Sequence, residues 1–179
     1  GVNMYCFNAS VIGNGPFGFI PDAYVHSTET VITPTSVEVL WESKGAIVKA
    51  DEGELLYDVT LKDGYVYFKS TGVEGNALVA VKDNMERILW SWHLWFTDIP
   101  SDLKYTGTNG SYVVLDRNIG AIRADSGSDN TERKESWGAM YQWGRKDPFV
   151  QNCYSYHTFR SKTDWTIAES IQEPTNMCV

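Results

Sequence analysis

The run Ile88-Leu89-Trp90-Ser91-Trp92-His93-Leu94-Trp95-Phe96 constrains this chain more than any other segment, because it gathers three of the seven tryptophans into one stretch. Along a strand, successive side chains point to opposite faces. Trp90, Trp92, Leu94 and Phe96 then share one face, and Leu89, Ser91, His93 and Trp95 share the other. One face is expected to fill a core. The second is too apolar for free solvent, so the rear of the chain is expected to cover it. The strand then forms the seam between two units, with Trp90, Trp92, His93 and Trp95 as structural residues.

The segments before the seam also read as strands. Val37, Val39 and Trp41 alternate with Glu38 and Glu42, a half-buried pattern that puts the three apolar residues on one side. Glu54–Leu61 and Tyr65–Ser70 flank Asp63-Gly64, a dipeptide that tolerates positive φ and signals a two-residue hairpin. Ala77, Val79 and Val81 share a face of the next run, and the polar tip Asp83-Asn84-Met85-Glu86 leads into the seam. Short strands at this spacing, with no helical period before residue 130, predict an Ig-like β-sandwich over residues 1–98.

Residues 99–179 read differently, as a mixed α+β unit. Thr97–Ser111 looks like a turn-rich connection, with Pro100, Gly107 and Gly110, followed by a short strand at Tyr112–Leu115. Residues 125–131 form a polar loop. Ser136 is expected to cap a helix over Trp137–Trp143, ended by Gly144, and a second short helix is expected at Trp165–Ile171, stopped by Pro174.

Charge follows the same division. The chain carries 15 basic and 23 acidic side chains, a net charge of −8. Residues 1–98 hold 6 basic against 13 acidic groups, and residues 99–179 hold 9 against 10. Nucleic-acid binding needs a basic footprint, so it is disfavoured. No apolar run reaches the ~18 residues of a membrane span. The sequence opens at Gly1 without a leader and reads as a mature or trimmed chain. Its three cysteines, Cys6, Cys153 and Cys178, have no zinc-finger spacing, and fit either one disulfide plus a free thiol or three buried thiols.

Motifs for chemistry are sparse. There is no nucleophile elbow, phosphate loop, dinucleotide fingerprint or His-Glu-x-x-His, and no cofactor or metal is expected. The loop Asp125–Asp129 has oxygens for calcium but lacks the EF-hand glycine and terminal glutamate. His93 reads as a packed residue with one hydrogen bond, and His26 has no evident partner. Cys153 and His157 have the separation of a thiolate–imidazole pair on a helix, but their segment alternates like a strand. Asp116-Arg117-Asn118 is expected to pin a loop through the forked donors of the guanidinium. Trp143, Arg145, Lys146 and Asp147 combine an aromatic platform with polar groups, the mixture that binds carbohydrate, and are the candidate ligand site. The alternative there is a helix end followed by a packed turn.

Several segments are also familiar as a set. Glu74–Asp83 followed by Ile88–Trp95, then Val114–Ala121, Tyr141–Phe149 and Glu169–Thr175, together with the opening Tyr5-Cys6-Phe7, resemble the C-terminal region of fimbrillin-like, pilus-tip-type surface proteins of gut anaerobes. The resemblance implies a β-sandwich followed by a C-type-lectin-like domain. It implies export to the cell surface, outer membrane or a pilus, with a lipid anchor upstream. It also implies adhesion to a glycan or a host or bacterial surface protein, with no catalytic residue. Residues 99–179 are short for a complete lectin-like fold, so a fragment or a reduced second domain is expected, with a sheet edge open to self-assembly. A structural subunit of a pilus or envelope is the alternative function, and a glycan-active hydrolase or an oxidase of lectin-like fold is a further one.

Overall fold

The computed structural model describes residues 3–12, 31–45, 48–143, 145–150, 158–161 and 164–178. It is mainly β, with several antiparallel sheets. Among the described residues, seven strands precede residue 98: β1 Met4–Asn8, β2 Ser36–Lys44, β3 Val48–Ala50, β4 Leu56–Lys62, β5 Tyr65–Ser70, β6 Gly75–Lys82 and β7 Ile88–Phe96. They form a three-stranded sheet of order β1-β5-β4 and a four-stranded sheet of order β3-β2-β6-β7.

One core joins the two sheets. Ala77, Val79 and Val81 of β6 and Trp90 and Trp92 of β7 meet Leu56 of β4 and Val66 and Phe68 of β5, with Phe7 of β1 packed against them. Asp63 (φ 52°) and Gly64 (φ 78°) make the left-handed pair of the β4–β5 hairpin. A Cβ on Gly64 would lie 1.9 Å from Ser10 Oγ, so this turn also seats the chain after β1. Every residue of β6 but Lys82 is buried, because both of its faces are covered.

Two bulges alter the alternation read from the sequence. The β2–β6 register slips between Val39 and Trp41, so Val37 and Val39 face the inter-sheet core while Trp41 pairs with Leu78 on the opposite face. One extra residue inverts every side chain beyond it. Glu42 thereby turns inward and is buried. Its carboxyl oxygens accept from Gly53 N–H (2.8 Å) and Leu55 N–H (2.6 Å), closing the β3–β4 connection. The β6–β7 register slips between Val81 and Lys82, and Leu89 packs against the inter-sheet core instead of joining Ser91, His93 and Trp95.

The rear of the chain departs further from expectation. The connection read over Thr97–Ser111 contains a strand, β8 Asp102–Gly107, which pairs antiparallel with β9 Gly110–Leu115. The helix expected over Trp137–Trp143 is absent, and α1 spans Asn130–Glu135. Asp129 caps it by accepting from Thr131 N–H and Glu132 N–H, and Ser136 closes it instead of opening it. Gly138 (φ 81°) then breaks the backbone, and Met140 makes an antiparallel bridge to Phe149. The second helix, α2, runs Ile167–Gln172 behind Thr166, whose capping box with Glu169 fixes its start. β10 Thr158–Arg160 and β11 Asn176–Cys178 pair in parallel. No helix among the described residues is long and apolar enough to cross a membrane.

Candidate functional site

The outer face of β7 positions most of the singled-out residues. Ser91 points away from the inter-sheet core and donates its hydroxyl to Asp147 Oδ2 at 3.0 Å. Lys146 Nζ donates to Ser91 O at 2.9 Å, to Ser91 Oγ at 2.5 Å and to Asp147 Oδ1 at 2.7 Å, and lies 4.3 Å from the Trp90 ring centroid. The Lys146 side chain is only 8 % exposed and that of Asp147 4 %. Burial pushes the Lys146 ammonium below the usual lysine range, and Asp147 opposes that shift. A hydroxyl beside an amine has the composition of a nucleophile and base. Here all three groups bind one another on an edge strand beneath cover.

Arg145 is turned inward as well. Its Nη2 donates to Glu173 O at 2.7 Å, and its guanidinium lies over the rings of Trp165 (5.1 Å) and Phe149 (5.8 Å). Trp143, in contrast, is 100 % exposed. The structure therefore separates the four residues of the candidate ligand site. Three tie the 145–149 segment to β7 and to the end of α2, and one stands in solvent.

A second polar chain runs from His93. Asn76 Nδ2 donates to Gly45 O and Gly120 O, both at 2.9 Å, which leaves its Oδ1 as an acceptor. His93 Nε2, 2.8 Å from that oxygen, must carry the proton. His93 Nδ1 then accepts from Tyr141 O–H at 3.3 Å. Burial pushes the imidazole down to about 4, so it is neutral at pH 7. Trp95 completes this face by donating Nε1–H to Ala121 O at 3.0 Å. Gly120 permits the close approach, since a Cβ there would sit 2.7 Å from Ala139 Cβ.

The segment after β9 makes a third arrangement. Arg117 Nε donates to Asp116 Oδ1 at 2.8 Å, and its Nη1 reaches Asp98 and Thr97. These contacts join the end of β7 to the end of β9, and the guanidinium holds the Asp98 and Asp116 carboxyls below the usual range. Asn118 Nδ2 donates to Ser136 O and Trp137 O. A groove of about 460 Å³ opens here, lined by Val114, Leu115, Asp116, Arg117 and Ser126 among others.

From this clasp the β8–β9 ribbon projects, and each of its residues is exposed. The sequence reading missed β8, because its turn falls on Thr108-Asn109, between the paired Gly107 and Gly110, and that dipeptide is not a strong hairpin signal. It also missed Asn76, whose partners Gly45 and Gly120 lie far along the chain, and Glu42, which turns inward only because of the β2 bulge. Cys6 is exposed and free, which removes the arrangement with three buried thiols. His26, Gly144, Cys153 and His157 lie outside the described residues. No protein family, curated protein or solved structure matches the chain.

Proposed function

We propose that this chain is a non-catalytic interaction module of an exported surface protein of the fimbrillin-like kind, acting at the cell surface, the outer membrane or in a pilus. In this reading an Ig-like sandwich carries a reduced C-type-lectin-like unit. The observation that carries it is the β8–β9 ribbon. Tyr105 and Tyr112 are 57 % and 58 % exposed, and Leu103, Val113, Val114 and Leu115 stand open beside them. A lone two-stranded ribbon is marginal in water, and an exposed apolar strand pair is a surface for a partner. The locking of Ser91, Lys146 and Asp147 to one another supports an absence of catalysis at the seam.

The test uses the whole chain coated on beads, presented to surface glycans, to envelope proteins and to further copies of itself. Binding to at least one is expected, and the Tyr105→Ser, Tyr112→Ser double variant should weaken it by about tenfold or more, as loss of aromatic anchors does. Binding untouched by that pair, or glycan hydrolysis by the purified chain, overturns the reading. Trp143 favours a second one. A fully exposed indole is suited to stacking on a sugar, and glycan-array binding lost in Trp143→Ala would place the contact there instead of on the ribbon.

A further inference from the structure

The backbone of the ribbon specifies how it can be extended. Gly107 pairs with Gly110 across a two-residue turn, and at the base Asp116 N–H donates to Ser101 O at 2.9 Å. Bonded and non-bonded pairs alternate along an antiparallel ladder. The odd-numbered residues of β8 therefore direct their N–H and C=O groups to β9, while Asp102, Lys104 and Thr106 direct theirs outward. The same alternation collects Leu103, Tyr105, Tyr112 and Val114 on one face. Asp102 and Lys104 lie on the other, and they are the ribbon's only charged residues.

We propose that β8 pairs antiparallel with β8 of a second copy, centred on Leu103, so that two ribbons become one sheet of order β9-β8-β8-β9. This deepens the interaction reading above and rests on it. Charge selects the partner and the register. With Leu103 opposite Leu103, Asp102 faces Lys104 of the second copy and Lys104 faces its Asp102, and the outward backbone groups of both strands meet. Sliding by two residues one way sets Lys104 against Lys104, and the other way sets Asp102 against Asp102. Like charges directly opposite are destabilising. A slide by one residue sets outward backbone groups against inward ones. Thr106 meets Pro100 of the second copy, which has no N–H, so the ladder ends there. The ribbon's own charges cancel, so the contact adds no like-charge repulsion to that between two chains of net charge −8. The gain is a four-stranded sheet with a continuous apolar face, where a ribbon alone is marginal.

Sedimentation velocity on the whole chain tests this. The wild type should dimerise with rising concentration. Lys104→Glu alone and Asp102→Lys alone should each weaken dimerisation about tenfold, because both contacts of the pair become repulsive. An equimolar mixture of the two variants should restore it, since Asp102 and Glu at position 104 of one then face Lys104 and Lys at position 102 of the other. Circular dichroism of each variant checks that it is folded. A wild type that stays monomeric at its solubility limit, or a mixture no better than either variant alone, overturns the self-pairing. Ribbon-dependent binding of glycan or envelope protein by a strictly monomeric chain would still uphold the interaction reading, so the two fail separately.

Discussion

His93 shows how one residue carries both packing and pH sensitivity. Its neutral form is held by burial, which pushes the imidazole down to about 4, and Asn76 and Tyr141 fix the orientation of the ring. The unfolded chain protonates near pH 6.5, so stability is full above that and is lost as pH falls from 6.5 towards 4. The His93-specific loss by pH 4 should be about 2–3 kcal/mol. Urea denaturation from pH 7 to pH 4 checks it, since His93→Gln should lose less stability than the wild type over that range. Equal losses in the two proteins would show that the imidazole is not kept neutral by the fold. Trp92 makes the apolar counterpart. It is buried in the inter-sheet core with its ring centroid 4.9 Å from that of Phe7. Trp92→Ala should cost about 3–5 kcal/mol, the usual loss for truncating a large core ring, and thermal unfolding reads it directly.

At the scale of elements, turn and cap signals held, while strand phase was lost at bulges, in the neighbouring pair β6–β7 as well as in β2–β6. Asp63-Gly64 makes its hairpin because positive φ is needed at both positions, whatever the surroundings. Thr166 and Glu169 start α2 through bonds within four residues. The bulges in β2 and β7 are set by pairing with β6, and nothing local in Val39-Leu40-Trp41 announces that Trp41 changes face. Glu42 follows from that change. Glu42→Ala would leave the N–H groups of Gly53, Leu55 and Leu56 without their acceptor. It should cost about 2–4 kcal/mol, given the penalty for buried unsatisfied donors. A shift in denaturation midpoint of only a few tenths of a kcal/mol would mean that the β3–β4 connection opens to water.

For the molecule as a whole, the outer face of β7 is a polar lock between the four-stranded sheet and the rear of the chain. Ser91, Lys146 and Asp147 bond to one another, and α2 packs along the same strand. Lys146→Met should cost about 3–5 kcal/mol, because it leaves Asp147 buried without its cation. Lys146→Met with Asp147→Leu should recover part of that loss, since an apolar pair of similar volume needs no counter-charge. Calorimetry on the single and double variants measures the coupling, and a double variant no more stable than the single one would show that Asp147 is not the group penalised. The β8–β9 ribbon, projecting from the Arg117 clasp, lies outside this lock with each of its residues exposed.

Periodicity alone determined that Ile88–Phe96 is a two-faced strand, that Ala77, Val79 and Val81 share a side, and that short strands dominate the front of the chain, because side-chain alternation is a property of the extended backbone itself. The tertiary structure decided what each face meets. Trp143 and Arg145 stand two positions apart with opposite environments, and Leu103 and Tyr105 in an alternating strand remain in solvent. Burial is a free energy of contact with groups far along the chain, which no local pattern contains.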